Sequence, residues 1–293
     1  MDFKKFRKVY IEITNRCNRT CSFCPTSNRT PGQMTPGQFN SVLSQIEPFG
    51  KFIYLHVKGE PLLHPELPAF LALIREKNFT ANITTNGLLL PQRESLLLEN
   101  PAIRQINLSL HALAELTPGQ QENYLTYLEG FIIRAQAHSN LIVSLRFWNY
   151  DALDPHSAHQ TINTRVFELL EKKLHPPFRI SDILIPGMGK LIAGNIYVNC
   201  DHQFNWPSLK NQKEETRGYC YGLRNQIAIL CDGTVVPCCL DAEGIMDLGN
   251  IFTTSLSDIL KGERAQEMHR GFTEKRAVEE LCRKCDFKGR FKI

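Results

Sequence analysis

The stretch "NRCNRTCSFCPTSNR" places Cys17, Cys21 and Cys24 within eight positions. Thiols this close are, once deprotonated, soft ligands for a metal centre. Structural zinc closes its shell with four ligands, and this loop supplies three. A [4Fe–4S] cluster held by three thiolates leaves one iron open to bind another group. A zinc site that borrows a distant Cys or His, and plain buried thiols, are the alternatives that the spacing leaves.

No further cysteine occurs for about 175 residues; then come Cys200, Cys220, Cys231, Cys238, Cys239, Cys282 and Cys285. The tail spaces them as C-x12-G-x4-C from Cys220 through Gly233 to Cys238, followed by the pair Cys282-x2-Cys285. Four thiols saturate either a zinc ribbon or a [4Fe–4S] cluster. Ten cysteines without a secretory signal argue for metal or redox chemistry in a reducing compartment, so a cytoplasmic location is expected. His56, His64 and His111 flank strand ends and are candidates for substrate contact or for a base, against packed or surface histidines.

These residues need a scaffold, and the composition allows a large one. The chain has 293 residues, 42% hydrophobic and 22% charged, as soluble globular proteins do. The net charge of +4 is scattered without a polybasic run, which gives no reason to expect nucleic acid. "MDFKKFRKVYIEIT" lacks the pattern of a signal peptide, and no apolar run reaches membrane-spanning length.

The cysteine-free middle alternates strand and helix patterns. "KVYIEIT" reads as a strand, "TPGQFNSVLSQIEPF" as a helix started by Thr35 and Pro36, and "FIYLHVKGEP" as a strand. "ELPAFLALIREKN" is a helix, "TANITTNG" a strand, "PQRESLLLEN" a helix and "IRQINLSLH" a strand. "QQENYLTYLEGFIIRAQAH", "LIVSLRFWN" and "TINTRVFELLEKKL" continue the alternation, before one strand near "LIAGNIYVN". Such alternation implies a parallel sheet with crossover helices, and six units fit a partial (β/α) barrel, whose working residues gather at the C-terminal ends of the strands. After about residue 200 the chain turns polar and irregular. "QIAILCDGTVVPCC" then reads as a hairpin turning at Asp232-Gly233, and "SLSDILKGERAQEMHRGF" as a helix.

In this setting the sequence resembles the radical S-adenosylmethionine (radical SAM) superfamily over most of its length. The family signature CxxxCxΦC carries an aromatic residue before its last cysteine, and Phe23 stands there. The family's Gly-Gly-Glu motif after the second strand corresponds to Lys58-Gly59-Glu60-Pro61, with Lys58 replacing the first glycine. The resemblance implies that Cys17, Cys21 and Cys24 hold a [4Fe–4S] cluster and that S-adenosylmethionine (SAM) binds its open iron. It assigns Gly59, Glu60 and Pro61 to the SAM amino group, Thr85, Asn86 and Ser109 to polar SAM contacts, and Arg146 to its carboxylate. Turn chemistry is the alternative for Thr85 and Asn86, and an ordinary ion pair for Arg146. The family often has Asp where this chain has His111.

The tail resembles the SPASM/twitch appendage of such enzymes, in the twitch form with one auxiliary cluster, as in butirosin-pathway-type dehydrogenases. This implies a second [4Fe–4S] cluster on Cys220, Cys238, Cys282 and Cys285. Cys200, Cys231 and Cys239 remain as buried residues or as candidate hydrogen-atom donors to a substrate radical. The expected fold is α/β: a partial (β/α)6 TIM-like barrel over residues 1–200, then a small α+β twitch domain with a β-hairpin over 201–293.

The resemblance implies reductive cleavage of SAM, fed by flavodoxin or ferredoxin. The 5′-deoxyadenosyl radical then abstracts a hydrogen atom from a substrate C–H bond, with net oxidation or epimerisation of a small metabolite. A peptide substrate, brought by a separate leader-binding protein because the barrel starts near residue 10, is the rival. A non-catalytic iron–sulfur electron carrier is the alternative of another class.

Overall fold

The computed structural model describes residues 5–25, 27–138, 140–151 and 157–291. In chain order it contains β1 (Lys8–Ile11), α1 (Pro36–Ile46), β2 (Phe52–Tyr54), α2 (Leu67–Glu76) and β3 (Thr80–Thr85). Next come α3 (Leu90–Glu99), β4 (Ile103–Ser109), α4 (Pro118–Gln136), β5 (Ile142–Phe147), α5 (Ala158–Leu174) and α6 (Ile180–Ile183). The last part holds β6 (Gly189–Ala193), β7 (Ile196–Cys200), β8 (Gln226–Ile229) and β9 (Val235–Val236). It ends with α7 (Leu256–Lys261), α8 (Glu263–Thr273) and α9 (Glu280–Arg283). The α/β class with a parallel core and a late hairpin is the one the sequence implies.

The chain forms two compact units, residues 1–81 with 204–293, and residues 82–203. One cut falls near the sequence boundary at 200; the other falls inside β3.

In the first unit β2, β1 and β8 run parallel, with Val9 opposite Ile53 and Ile227, and β9 pairs antiparallel with β8. Val9 and Ile11 are fully buried. A capping box starts α1: the Thr35 side chain accepts from Gln38 N while the Gln38 side chain accepts from Thr35 N, with Pro36 at the first turn. The helix buries Phe39, Val42, Leu43 and Ile46, one stripe at helical spacing, and Phe39 meets Phe70 of α2 at 4.6 Å between ring centres. The expected single helix over 255–272 is two, because Gly262 leaves helical geometry at ψ 148° and serves as the C-cap of α7 and the N-cap of α8.

In the second unit β4, β5 and β7 run parallel. The expected single strand near "LIAGNIYVN" is a correction: it folds as a hairpin, with β6 antiparallel to β7. Gly194, at φ +54°, allows the reversal, and the buried Asn195 holds it. The Asn195 amide donates to the carbonyls of Ala135, His138 and Leu141, and so ties the hairpin to the segment joining α4 and β5. Ser157 caps α5 and starts it earlier than the apolar pattern implies. Among the described residues no helix is long and apolar enough to cross a membrane.

Replacing Asn195 by Ala strands buried carbonyls, so it is expected to lower unfolding stability by about 1–3 kcal/mol, read from urea unfolding of the apo-protein.

Candidate functional site

The three-cysteine loop lies between β1 and α1 and is closed at its neck by Asn15. Its side-chain amide donates to Thr30 O at 2.9 Å, and its Oδ1 accepts from Gly32 N at 2.7 Å. Within the loop Cys24 N donates to Cys21 O at 3.1 Å. Cys17 and Cys24 are exposed and Cys21 half-buried. The thiols feel one another. Burial, with Glu60 and Cys21 nearby, pushes Cys17 up; the hydrogen bond to Cys21, burial and the charges of Cys21 and Cys17 push Cys24 far up, against Lys58. The raised pKa values of Cys17 and Cys24 fit a site completed by a polycationic centre, which removes that resistance to ionisation.

The Gly-Glu segment is fixed against this loop. Glu60 N donates to Arg16 O at 2.8 Å. Gly59 sits at φ +77°, and a Cβ there would stand 2.3 Å from Thr14 O. Only glycine lets the two main-chain segments come this close. The Glu60 carboxylate is buried and accepts from Leu62 N at 3.0 Å, capping a short 3₁₀ turn, Pro61–Leu63, that starts with Pro61.

Beneath the loop lies a pair that sequence reasoning missed. Glu12, fully buried, accepts from Arg29 Nη1 at 3.1 Å and from Arg29 Nη2 at 2.6 Å. It also accepts from Lys58 N at 3.1 Å and Cys231 N at 3.1 Å. Arg29 further donates to Ala242 O at 3.0 Å and to Cys231 Sγ at 3.4 Å. Burial works against the Arg29 charge, but the bond and charge of Glu12 outweigh it and push its pKa up. One carboxylate thus joins the cysteine loop, the Gly-Glu segment and the end of β8. The available signal was a charged residue in the apolar alternation of "KVYIEIT".

The second unit carries the other candidate SAM residues. Thr85 Oγ1 accepts from Gly87 N and Asn86 Oδ1 from Leu88 N, each at 3.0 Å. Both side chains therefore shape the turn after β3. Ser109 ends β4 directly opposite Arg146 of β5. The Arg146 guanidinium lies over Trp148 at 5.2 Å, and His111 stacks on the same indole at 6.4 Å and 13°. Burial, opposed by a hydrogen bond to the Arg146 main chain, pushes His111 down to about 4. In the first unit, both ring nitrogens of His64 serve the main chain, with Met34 O at 3.0 Å and Glu66 N at 3.1 Å. His56 sits edge-on to Tyr10.

Cys220, Cys238, Cys282 and Cys285 line one cavity in the first unit, with Met246 and Phe287 among its walls. Burial first, and neighbouring thiols second, push Cys238 and Cys282 up; burial pushes Cys285 up and Cys220 to about 11. Among the described residues no three Cys, His, Asp or Glu side chains are already drawn into a metal cage. The four cysteines instead line a shared space, a donor set that would suit either a zinc ion or a [4Fe–4S] cluster.

An aromatic run leads from the loop to this cavity. Phe23 meets Phe204 edge-on at 5.4 Å, and Phe204 meets the wall residue Phe287 at 5.0 Å. The remaining cysteines are not brought together. Cys200 is buried at the end of β7 and pushed by burial to about 11; Cys231 is buried beside Arg29 and pushed by burial to about 12. The partly buried Cys239 packs on the cluster containing Tyr10.

Comparisons with known proteins agree with this geometry. Residues 11–130 match the radical SAM superfamily and residues 220–286 the SPASM iron–sulfur cluster-binding domain. A "tungsten-containing aldehyde ferredoxin oxidoreductase cofactor-modifying protein" from Pyrococcus furiosus is 26% identical over 291 residues, covering 87% of this chain and 81% of that protein. An "S-adenosyl-L-methionine-dependent 2-deoxy-scyllo-inosamine dehydrogenase" from Niallia circulans is 28% identical over 158 residues. That match covers 49% of this chain and spans 60% of the relative's length. The crystal structure of BtrN in complex with AdoMet and 2-DOIA shares the fold, with a TM-score of 0.59 at 19% identity, covering 98% of this chain and 94% of the other.

Two outcomes follow. Glu12→Ala strands the Arg29 charge and is expected to cost about 3–5 kcal/mol, whereas a Glu12→Leu/Arg29→Met double variant recovers most of it, both by urea unfolding of the apo-protein. His111 stays neutral in the folded chain down to about 4, but takes a proton in the unfolded chain below about 6.5. Stability should therefore fall as pH drops through that window, by up to about 1.4 kcal/mol per unit, and His111→Gln should flatten that slope.

Proposed function

We propose that this chain, which carries a radical SAM domain followed by a SPASM domain, is an enzyme that abstracts a hydrogen atom from a substrate C–H bond. The reaction ends in net two-electron oxidation of a small metabolite. The observation that carries this reading is the pairing of two unlike thiol sets in one compact unit: three on an exposed loop and four lining one cavity. A [4Fe–4S] cluster with one open iron, when bound and reduced, supplies the electron that splits SAM into methionine and a 5′-deoxyadenosyl radical.

The chain's own part is to hold and orient. Cys17, Cys21 and Cys24 hold the first cluster, and the neck at Asn15 with the Glu12–Arg29 pair fixes the loop that carries them. Gly59, Glu60 and Pro61 are assigned to the SAM amino group. Thr85, Asn86 and Ser109 are assigned to its polar contacts and Arg146 to its carboxylate. The stacking of Arg146 on Trp148 keeps the guanidinium plane in place. Cys220, Cys238, Cys282 and Cys285 would hold a second cluster with all four thiols, and it would supply a one-electron acceptor for the substrate oxidation. A reducing flavodoxin or ferredoxin supplies the first cluster. The Niallia circulans relative, named as a dehydrogenase, supports oxidation as the outcome. For epimerisation, Cys239 is the hydrogen donor with partial exposure; Cys200 and Cys231 are buried.

Anaerobically reconstituted protein is expected to hold about eight irons. With SAM and dithionite it should release 5′-deoxyadenosine, and Cys17→Ala should abolish this. Cys282→Ala/Cys285→Ala should still cleave SAM but form no oxidised product. Protein with both clusters that never cleaves SAM, with or without aminocyclitols or peptides, would instead be an electron carrier; deuterium transfer only from peptides would move the substrate to that class.

A further inference from the structure

The cavity that the four cysteines line has a fixed charge of its own. Lys288 lies three residues beyond Cys285, is buried to 6% exposure and forms part of the cavity wall. Its Nζ donates to three main-chain carbonyls: Glu215 O at 2.6 Å, Arg283 O at 2.8 Å and Cys282 O at 3.1 Å. A neutral amine has two N–H bonds to give and an ammonium has three. Three carbonyl acceptors around one nitrogen therefore describe a cation.

The chain makes room for it. A Cβ at Gly218 would stand 3.2 Å from Lys288 Cδ and 3.3 Å from its Cε. Among the described residues Lys288 enters no ion pair; burial pushes its pKa down, and the charges of Glu215, Cys285 and Cys282 oppose this. Carbonyls solvate an ammonium but do not neutralise it, and a buried charge needs a counter-charge. The other ionisable groups on this wall are the four thiols and Asp241. The Asp241 carboxylate is already engaged by Ile245 N at 2.9 Å and Met246 N at 2.7 Å.

We propose that Lys288 is the built-in counter-ion of the second iron–sulfur site, whose fixed positive charge raises that cluster's midpoint potential and favours its one-electron reduction. The inference rests on the reading that the four cysteines hold a cluster. On reduction the cluster gains one electron and no bond forms or breaks. A neighbouring positive charge stabilises the more negative, reduced form more than the oxidised one. Lys288 is thus a positioning and tuning residue for electron uptake, touching neither substrate nor SAM.

The test uses full-length, reconstituted protein in which Cys17, Cys21 and Cys24 are Ala, so that the second cluster alone reports. Its midpoint is read by potentiometric titration with dithionite, alongside iron content. Lys288→Gln keeps amide donors for the carbonyls but no charge; Lys288→Arg keeps the charge. With full iron, Lys288→Gln is expected to weaken reduction about tenfold, a shift of about 59 mV to lower potential for one electron, while Lys288→Arg stays near the parent. Loss of iron in Lys288→Gln but not in Lys288→Arg also supports the counter-ion role. An unmoved potential in Lys288→Gln, or loss of iron in both variants, overturns it and leaves Lys288 a packing staple. If the parent holds no cluster, the reading of the four cysteines fails, an outcome that iron content separates from the others.

Discussion

The buried carboxylate of Glu12 is the constraint on which the first unit is organised. Taking a carboxylate and a guanidinium out of water costs several kcal/mol per ion, and only good geometry with satisfied hydrogen bonds returns it. Glu12 meets that condition with four donors: two from Arg29 and the main chains of Lys58 and Cys231. Those donors come from three separate stretches of chain, so satisfying one charge sets the relative position of all three. A cluster loop must be held this way, because neighbouring thiols that push the pKa values of Cys17 and Cys24 up do not organise themselves.

The two thiol sets then differ in a way that electrostatics explains. On the loop the sulfurs are partly in solvent and lie beside a main chain brought close by Gly59. Around the cavity they are partly buried, and burial is the first cause of their raised pKa values. A low-dielectric enclosure strengthens every charge in it, which is why one buried ammonium such as Lys288 can matter there. The aromatic run Phe23–Phe204–Phe287 joins the two regions by packed rings rather than by solvent.

Much of this was legible in the sequence. The cysteine spacing, the Thr35-Pro36 helix start and the Asp232-Gly233 hairpin are local signals, carried by residues a few positions apart. The misses are of another kind. Glu12 and Arg29 lie 17 positions apart, and nothing local pairs them. The β6–β7 hairpin was read as one strand because its apolar residues continue across the Gly194-Asn195 turn, and Asn195 works through carbonyls more than 50 positions away. Gly262 broke one expected helix into two. Nothing in the sequence marks Lys288, because only folding places three carbonyls around it.

One thiol set open to SAM and the other closed should be distinguishable by electron paramagnetic resonance of the reduced protein. Spectra are recorded with and without SAM for the parent, for the variant lacking Cys17, Cys21 and Cys24, and for the variant lacking Cys282 and Cys285. Two cluster signals are expected in the parent, with SAM altering only the one that disappears with Cys17, Cys21 and Cys24. A SAM-induced change in the signal that survives without those three cysteines would contradict this assignment.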